Sequence, residues 1–352
     1  MPPTTTPATF SIAVIGTGYW GKNYVRALYE MQPQLSLRYV CDANEALLAA
    51  MRPRFPGVAF VPDVDVLLAD ASLSAVVVAT PASTHFALAR RVLEAGKHVL
   101  VEKPMTTLAT EADELNAMAA ARGLRVMVGF TSCFIAAIAE AQRLMRTEAF
   151  GRCYYITSRR TSLGIIRPDV NVAWDLVPHD LAILSFLTGS RPVSISAVGA
   201  SFVSDKEDAV TVTIRYESGV TATVFASWAE PRKTREVVVV GSGMTIVADD
   251  IDVMAPLRVY NKSIAREATS PLPMHEAPAD FGLFKTVIKA GDLNIPDLAL
   301  SEPLKAKLAH FYECCRDASK DCRTSGLLGA LVVRMLEAID TSMKSGGAPV
   351  AM

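Results

Sequence analysis

Short, almost uninterrupted apolar runs alternate with helical periodicity through the first third of the chain. Runs at Ser11–Ile15, Leu37–Cys41, Ala75–Ala79, His98–Val101 and Val126–Phe130 read as strands buried on both faces, because none shows the alternation of a half-exposed strand. Between them, Gly21–Gln32 and Thr84–Ala95 repeat apolar residues at helical spacing, and Gly96 ends the second at a C′ position. Strand–helix–strand repetition of this kind predicts a parallel sheet covered on both sides. The texture changes near Gly129. A helix over Ile135–Arg146 precedes Val-, Thr-, Ile- and Tyr-rich runs at Cys153–Arg160, Val193–Phe202, Ala209–Tyr216, Thr221–Ala229 and Val237–Val240. Tight turns such as Glu217-Ser218-Gly219 join them, as in an antiparallel sheet. Helical patterns return at Leu304–Ala318 and Leu327–Ser342. The expected organisation is an α/β nucleotide domain over 10–128 followed by an α+β domain over 129–352, with 1–9 a disordered leader.

Composition narrows the function classes. The 352 residues are 51% hydrophobic and 20% charged with a formal net charge of −1, which gives no reason to expect nucleic acid or an anionic membrane as partner. No apolar segment reaches the roughly 18 residues of a membrane span, and no secretory leader is legible, so the expected location is the cytoplasm. The six cysteines, at 41, 133, 153, 314, 315 and 322, form no C-x-x-C pair and lack histidines at zinc-finger spacing. They read as reduced thiols, and no metal site is expected.

The chemistry begins at VIGTGYWGKN (14–23), where Gly16, Gly18 and Gly21 give G-x-G-x-x-G. The motif follows an apolar strand and opens a helix near Trp20, the context a Rossmann dinucleotide site requires. Gly16 would permit the tight turn, Gly18 the approach of backbone to pyrophosphate, and Gly21 close helix–strand packing. Asp42 ends the next strand and stands where a carboxylate would accept bonds from a ribose diol. That acid favours NAD over NADP, because it repels a 2′-phosphate; Arg52 and Arg54 nearby keep NADP possible. VVVATPASTH (76–85) and HVLVEKPM (98–105) end two more strands on the edge that lines a ligand crevice. Glu102 and Lys103 form a charged pair at the end of a buried strand, a costly position unless the charges are used or satisfied. In NVAWDLVPHD (171–180), Asp175 and His179 share a helical face.

Taken together, GTGYWG, VATPASTH, VLVEKPM, VGF and WDLVPHDL, with the closing IPDLALSEPLKAKLAHF and VVRMLEAIDTSMKSGG, resemble the glucose–fructose oxidoreductase/inositol dehydrogenase (Gfo/Idh/MocA) family over nearly the whole chain. The resemblance implies an open-faced, mainly antiparallel sheet in the second domain, commonly an oligomer interface, and hence a homodimer or homotetramer. It implies an NAD-lined site including Gly16, Gly18, Tyr19, Trp20, Gly21 and Asp42, with Thr80, Pro81, His85, Glu102 and Lys103 on the neighbouring strand ends. It also implies Lys103 beside the nicotinamide and substrate, with a Lys103–Pro104 peptide open to the cis form. Asp175 and His179 match the family's catalytic Asp and His by spacing. One departure is Ala182, where many members carry a second acid.

The stretch 159–180 looks most like the subgroup acting on nucleotide sugars. Arg159, Arg160 and Arg167 could pair with a substrate carboxylate or phosphate, or be plain surface arginines, and Asn171 could meet a sugar hydroxyl. The expected reaction moves a hydride between nicotinamide and a carbinol or ketone carbon of a sugar, polyol or nucleotide sugar. His179 would exchange the hydroxyl proton, Asp175 orient His179 or Lys103, and Lys103 stabilise the developing charge on oxygen. Two other readings remain: a glycosidase working through transient oxidation by tightly held NAD, and a non-enzymatic dinucleotide-binding regulator.

Overall fold

The computed structural model describes residues 10–164, 166–264, 288–289, 291–299 and 301–352. The expected leader at 1–9 lies outside the described residues. The chain divides into two compact units, Met1–Phe134 with Ser301–Glu337, and Ile135–Leu300 with Ala338–Met352.

The first unit is built on six parallel strands: β1 (Ser11–Ile15), β2 (Ser36–Cys41), β3 (Ala59–Val61), β4 (Ala75–Val78), β5 (His98–Val101) and β6 (Val126–Val128). Their order is β3-β2-β1-β4-β5-β6, so the chain reverses direction across the sheet between β1 and β4. β1, β4 and β6 are buried along their whole length, as their continuous apolar sequences demand. Helices α1 (Tyr19–Glu30), α2 (Glu45–Met51), α3 (Val64–Leu68), α4 (His85–Glu94) and α5 (Ala109–Ala121) make the crossovers. Side chains of Asn44 and Asp63 cap α2 and α3 by accepting backbone N–H bonds in their first turns. The three-residue β3 escaped the sequence reading because AFV is too short to show a period.

The segment 301–337 also belongs to this unit, whereas the sequence reading assigned all of 129–352 to the second domain. The helix Pro303–Arg316 buries Leu304, Leu308 and Phe311, and the next helix, Gly326–Lys344, contributes its residues up to 337. The loop between them runs along β6, where Thr324 O accepts from Val128 N at 2.8 Å.

The second unit holds α6 (Ala136–Met145) and α7 (Val172–Thr188) against a sheet of β7 (Cys153–Thr161), β8 (Pro192–Ala200), β9 (Ala209–Tyr216), β10 (Thr221–Ser227), β11 (Thr234–Gly241), β12 (Thr245–Asp249) and β13 (Leu257–Tyr260). Short strands β14 (Ser263–Ile264) and β15 (Ile288–Lys289) pair with each other, while β16 (Leu293–Asn294) and β17 (Val350–Ala351) extend the large sheet at its two ends. The order is β16-β13-β12-β11-β7-β10-β9-β8-β17, antiparallel except where β7 meets β10 in parallel. Gly219, at φ +83°, turns β9 into β10. Along β9 and β10 the residues alternate between buried and more exposed, so the sheet has one covered face and one open face. The helices running through 303–316 and 326–344 are numbered α8 and α9 below.

Candidate functional site

The three glycines of the first turn are there for three different reasons. Gly16 has φ +94°, and a Cβ there would lie 2.6 Å from Ala79 O. A Cβ on Gly21 would lie 2.0 Å from Gly16 O, so α1 can close on β1 only without one. A Cβ on Gly18 would meet nothing within 4 Å. Gly18 therefore bounds open space at the N-cap of α1, whose first turn has no acidic residue and no side-chain cap. Unpaired N–H groups at an acid-free helix start suit an anion. Tyr19 and Trp20 are both exposed beside this turn, their rings packed edge-on.

Asp42 follows β2 directly. Its Oδ2 accepts from the Thr17 N–H and hydroxyl at 2.7 Å each, and its Oδ1 from Asn44 N at 2.9 Å. Burial pushes this carboxyl up, but the Asn44 and Thr17 bonds outweigh it and hold the group below the usual carboxylate range. Asp42 is thus ionised at neutral pH and fixes the glycine turn through Thr17. Arg52 leans over the Phe60 ring and Arg54 over Phe55.

After β4, the Thr80 hydroxyl bonds that of Thr84, which in turn donates to Pro81 O. His85 was expected among the cofactor contacts; the structure instead buries it. Its ring spans Pro104 O at 2.8 Å from Nδ1 and Thr80 O at 2.9 Å from Nε2, tying together the turns that follow β4 and β5. Burial lowers its pKa, with the two carbonyls opposing.

Glu102 and Lys103 follow β5, and the Lys103–Pro104 peptide is cis. The Glu102 carboxylate is buried, accepts from Lys103 N at 3.1 Å and from the Tyr24 hydroxyl, and lies 3.5 Å from the ammonium of Lys307. Lys307 Nζ also donates to Tyr24 Oη and, at 2.7 Å, to Thr131 Oγ1. Gly129 makes room for this carboxylate, since a Cβ there would lie 2.5 Å from Glu102 Oε1. Burial pushes Lys307 down and Tyr24 up, the latter helped by the Glu102 charge. Tyr24 and Lys307 are the partners that satisfy Glu102, and neither lies near it in sequence. A signal was present: Leu304, Lys307, Leu308 and Phe311 form one buried stripe of α8, and a lysine on such a stripe needs a buried partner.

In the second unit, Asn171 caps α7, its Oδ1 accepting from Trp174 N at 3.1 Å while its Nδ2 donates to Asp340 at 3.1 Å and Glu207 at 3.2 Å. Asn171, expected as a candidate sugar contact, therefore has its side chain engaged as a helix cap and with two carboxylates of the same unit. Asp175 and His179 lie one turn apart on α7. Asp175 accepts from the indole N–H of the buried Trp228 at 3.1 Å and stands 3.4 Å from Arg167, whose main partner is Asp169. Arg167 and Asp175 are therefore brought together. Arg160 has a partner within the unit. It is buried and grips Asp180 through Nε at 2.7 Å and a terminal nitrogen at 3.1 Å, with Ser158 Oγ also donating to Asp180. Strand alternation sends Arg159 to the opposite, open face, where it stacks over Phe225 and pairs with Glu230. Ala182, the missing acid, is packed in the core.

These features define a class: a Rossmann unit with an acid-free glycine turn and a carboxylate at the end of its second strand, in one chain with an α+β unit that has an open sheet. Residues 10–130 match the oxidoreductase family, NAD-binding Rossmann fold, and residues 138–247 match the GFO/IDH/MocA C-terminal domain, together about two-thirds of the chain. The chain belongs to the GFO/IDH/MocA oxidoreductase family. It is 37% identical over 217 residues to the UDP-N-acetylglucosamine 3-dehydrogenase of Acidithiobacillus ferrooxidans, covering 61% of this chain and 66% of that one. The solved structure of that dehydrogenase superposes with a TM-score of 0.78 at 26% identity, over 95% of this chain and 97% of that one. The D-apiose dehydrogenase of Paraburkholderia graminis is 26% identical over 97% of this chain and 90% of its own length. The chain spans about two-thirds of the first curated relative it matches and just over half of the next two. Among the described residues, no helix is long and apolar enough to cross a membrane.

Proposed function

We propose that this protein is an NAD-dependent dehydrogenase or reductase acting on a secondary hydroxyl or ketone of a sugar, polyol or nucleotide sugar. The observation that carries the reading is one edge of the parallel sheet. Asp42, Gly18, Thr80 and the Glu102–Lys103 pair all follow carboxyl ends of strands that are neighbours in the order β2-β1-β4-β5. That edge contains the point where the strand order reverses, the usual location of a dinucleotide crevice. The relative named as a UDP-N-acetylglucosamine 3-dehydrogenase supports a nucleotide sugar.

Bound NAD supplies hydride acceptance, or as NADH hydride donation, at the substrate carbon. Everything else falls to this chain. Gly18 and the start of α1 bind the pyrophosphate, and Asp42 binds the ribose. Lys103 hydrogen-bonds the reacting oxygen and stabilises the negative charge that develops there. His179 takes the hydroxyl proton in oxidation and returns it in reduction, held in place by Asp175. Self-association through the open sheet face, where Val198 is exposed, belongs to the same reading. Lys103→Ala and His179→Ala should each lower kcat by about 10²–10⁴-fold while NAD affinity stays near that of the unaltered protein. Steady-state kinetics over a panel of sugars and nucleotide sugars, with NAD binding by calorimetry, decides it. Full turnover from either variant removes that residue from the reaction.

A further inference from the structure

His310 and Cys314 stand one turn apart on α8, and Cys322 returns to them from the loop that follows. The ligand atoms, one imidazole nitrogen and two sulfurs, lie within 4.8 Å of one another, with His310 Nε2 and Cys314 Sγ 3.4 Å apart. In a tetrahedral zinc site with Zn–S about 2.3 Å and Zn–N about 2.0 Å, neighbouring S and N ligands sit about 3.5 Å apart. The observed edge is already close to that.

We propose that His310, Cys314 and Cys322 form a three-ligand site for a thiophilic divalent cation of the zinc type, with water as the fourth ligand. Two thiolates and an imidazole, with no carboxylate among them, select such an ion over calcium or magnesium. Cys314 is buried while His310 and Cys322 are half-buried, which leaves a path for the ion and room for its water. The imidazole is in the tautomer a metal needs: Nε2 accepts the N–H of Arg323 at 3.0 Å, so it carries a lone pair. Metal binding replaces that bond. Arg125 holds the loop by donating to Cys314 O at 3.1 Å and to Ala318 O.

The ion is a staple. It closes the loop between Cys314 and Cys322, just ahead of Thr324 and Ser325, which pair with Val128 and Met127 of β6. It therefore secures the strand that leads to Gly129 beneath Glu102. The inference does not depend on the reaction proposed above.

The test uses the full-length protein purified under reducing conditions, stripped with a chelator and reloaded with Zn²⁺ or Co²⁺. Elemental analysis should find one equivalent of zinc, and Co²⁺ should give thiolate charge-transfer bands with intense tetrahedral ligand-field absorption. Cys322→Ser and His310→Gln, both at half-buried positions, should weaken zinc binding about tenfold or more, while Cys315→Ser keeps it. Zinc should raise the melting temperature of the parent protein and leave Cys322→Ser unmoved. Three results each overturn the proposal: no zinc bound above background with all thiols titrating free, a Cys314–Cys322 disulfide as the resting state by mass spectrometry, or undiminished zinc binding in both variants.

Discussion

At the scale of single residues, the decisive contact is Lys307 against Glu102. Both groups are withdrawn from water, the ammonium completely, and each offsets the desolvation of the other. Lys307→Met keeps the length and apolar character of the stem but removes the charge. The Tyr24 hydroxyl then still donates to a buried carboxylate that has lost its counter-charge. Stability should fall by about 3–5 kcal/mol, read as a shift of the urea midpoint. Adding Glu102→Gln should recover part of that loss, because the stranded charge disappears with it. If the double variant is as unstable as the sum of the singles, the pair is not coupled and Glu102 is held by something else. The same contact shows why Lys103 sits on a firm base: Glu102 accepts its backbone N–H, so Lys307 positions Lys103 through Glu102.

At the scale of elements, the β1–turn–α1 unit separates stability from binding within five residues. Gly21→Ala puts a methyl 2.0 Å from Gly16 O, a backbone atom that cannot step aside, and should cost about 1–3 kcal/mol or more. Gly18→Ala meets open space at an ordinary φ of −64° and should leave the melting temperature unchanged. It should nevertheless weaken NAD about tenfold or more, because the methyl fills the space the pyrophosphate needs. Loss of stability in Gly18→Ala, or unimpaired NAD affinity, would show that this turn is not the phosphate site. This unit was fully legible in the sequence, since strand, glycine spacing and helix are local and each residue acts on near neighbours. Asp42 was legible for the same reason. Lys307 was not: it meets Tyr24 across 283 residues of chain, and an amphipathic stripe says that α8 is buried without saying against what. The partners of Arg160 and Asn171 were hidden for a related reason. Their residue types suit substrates, but strand alternation and a helix N-terminus had already claimed them.

At the scale of the whole molecule, the question is where the dinucleotide-binding unit ends. A boundary after residue 128 makes 10–128 self-sufficient, whereas the contacts make 301–337 part of that unit. Leu304, Leu308 and Phe311 are each at most 5% exposed within it, and burying each contributes about 1.5–3 kcal/mol. Together that rivals the entire stability of an ordinary domain, about 5–15 kcal/mol. The segment also brings the counter-charge for Glu102, and Thr324 O for the N–H of Val128 on the edge strand β6. A fragment of residues 1–134 should therefore expose apolar surface, melt without a cooperative transition and fail to bind NAD. The same fragment joined through a flexible linker to residues 301–337 should regain both a cooperative melt and NAD binding. Circular dichroism melts and calorimetric titration with NAD distinguish the two. A cooperative, NAD-binding 1–134 fragment would mean that the late helices merely rest on a finished domain, and that Glu102 is accommodated without Lys307.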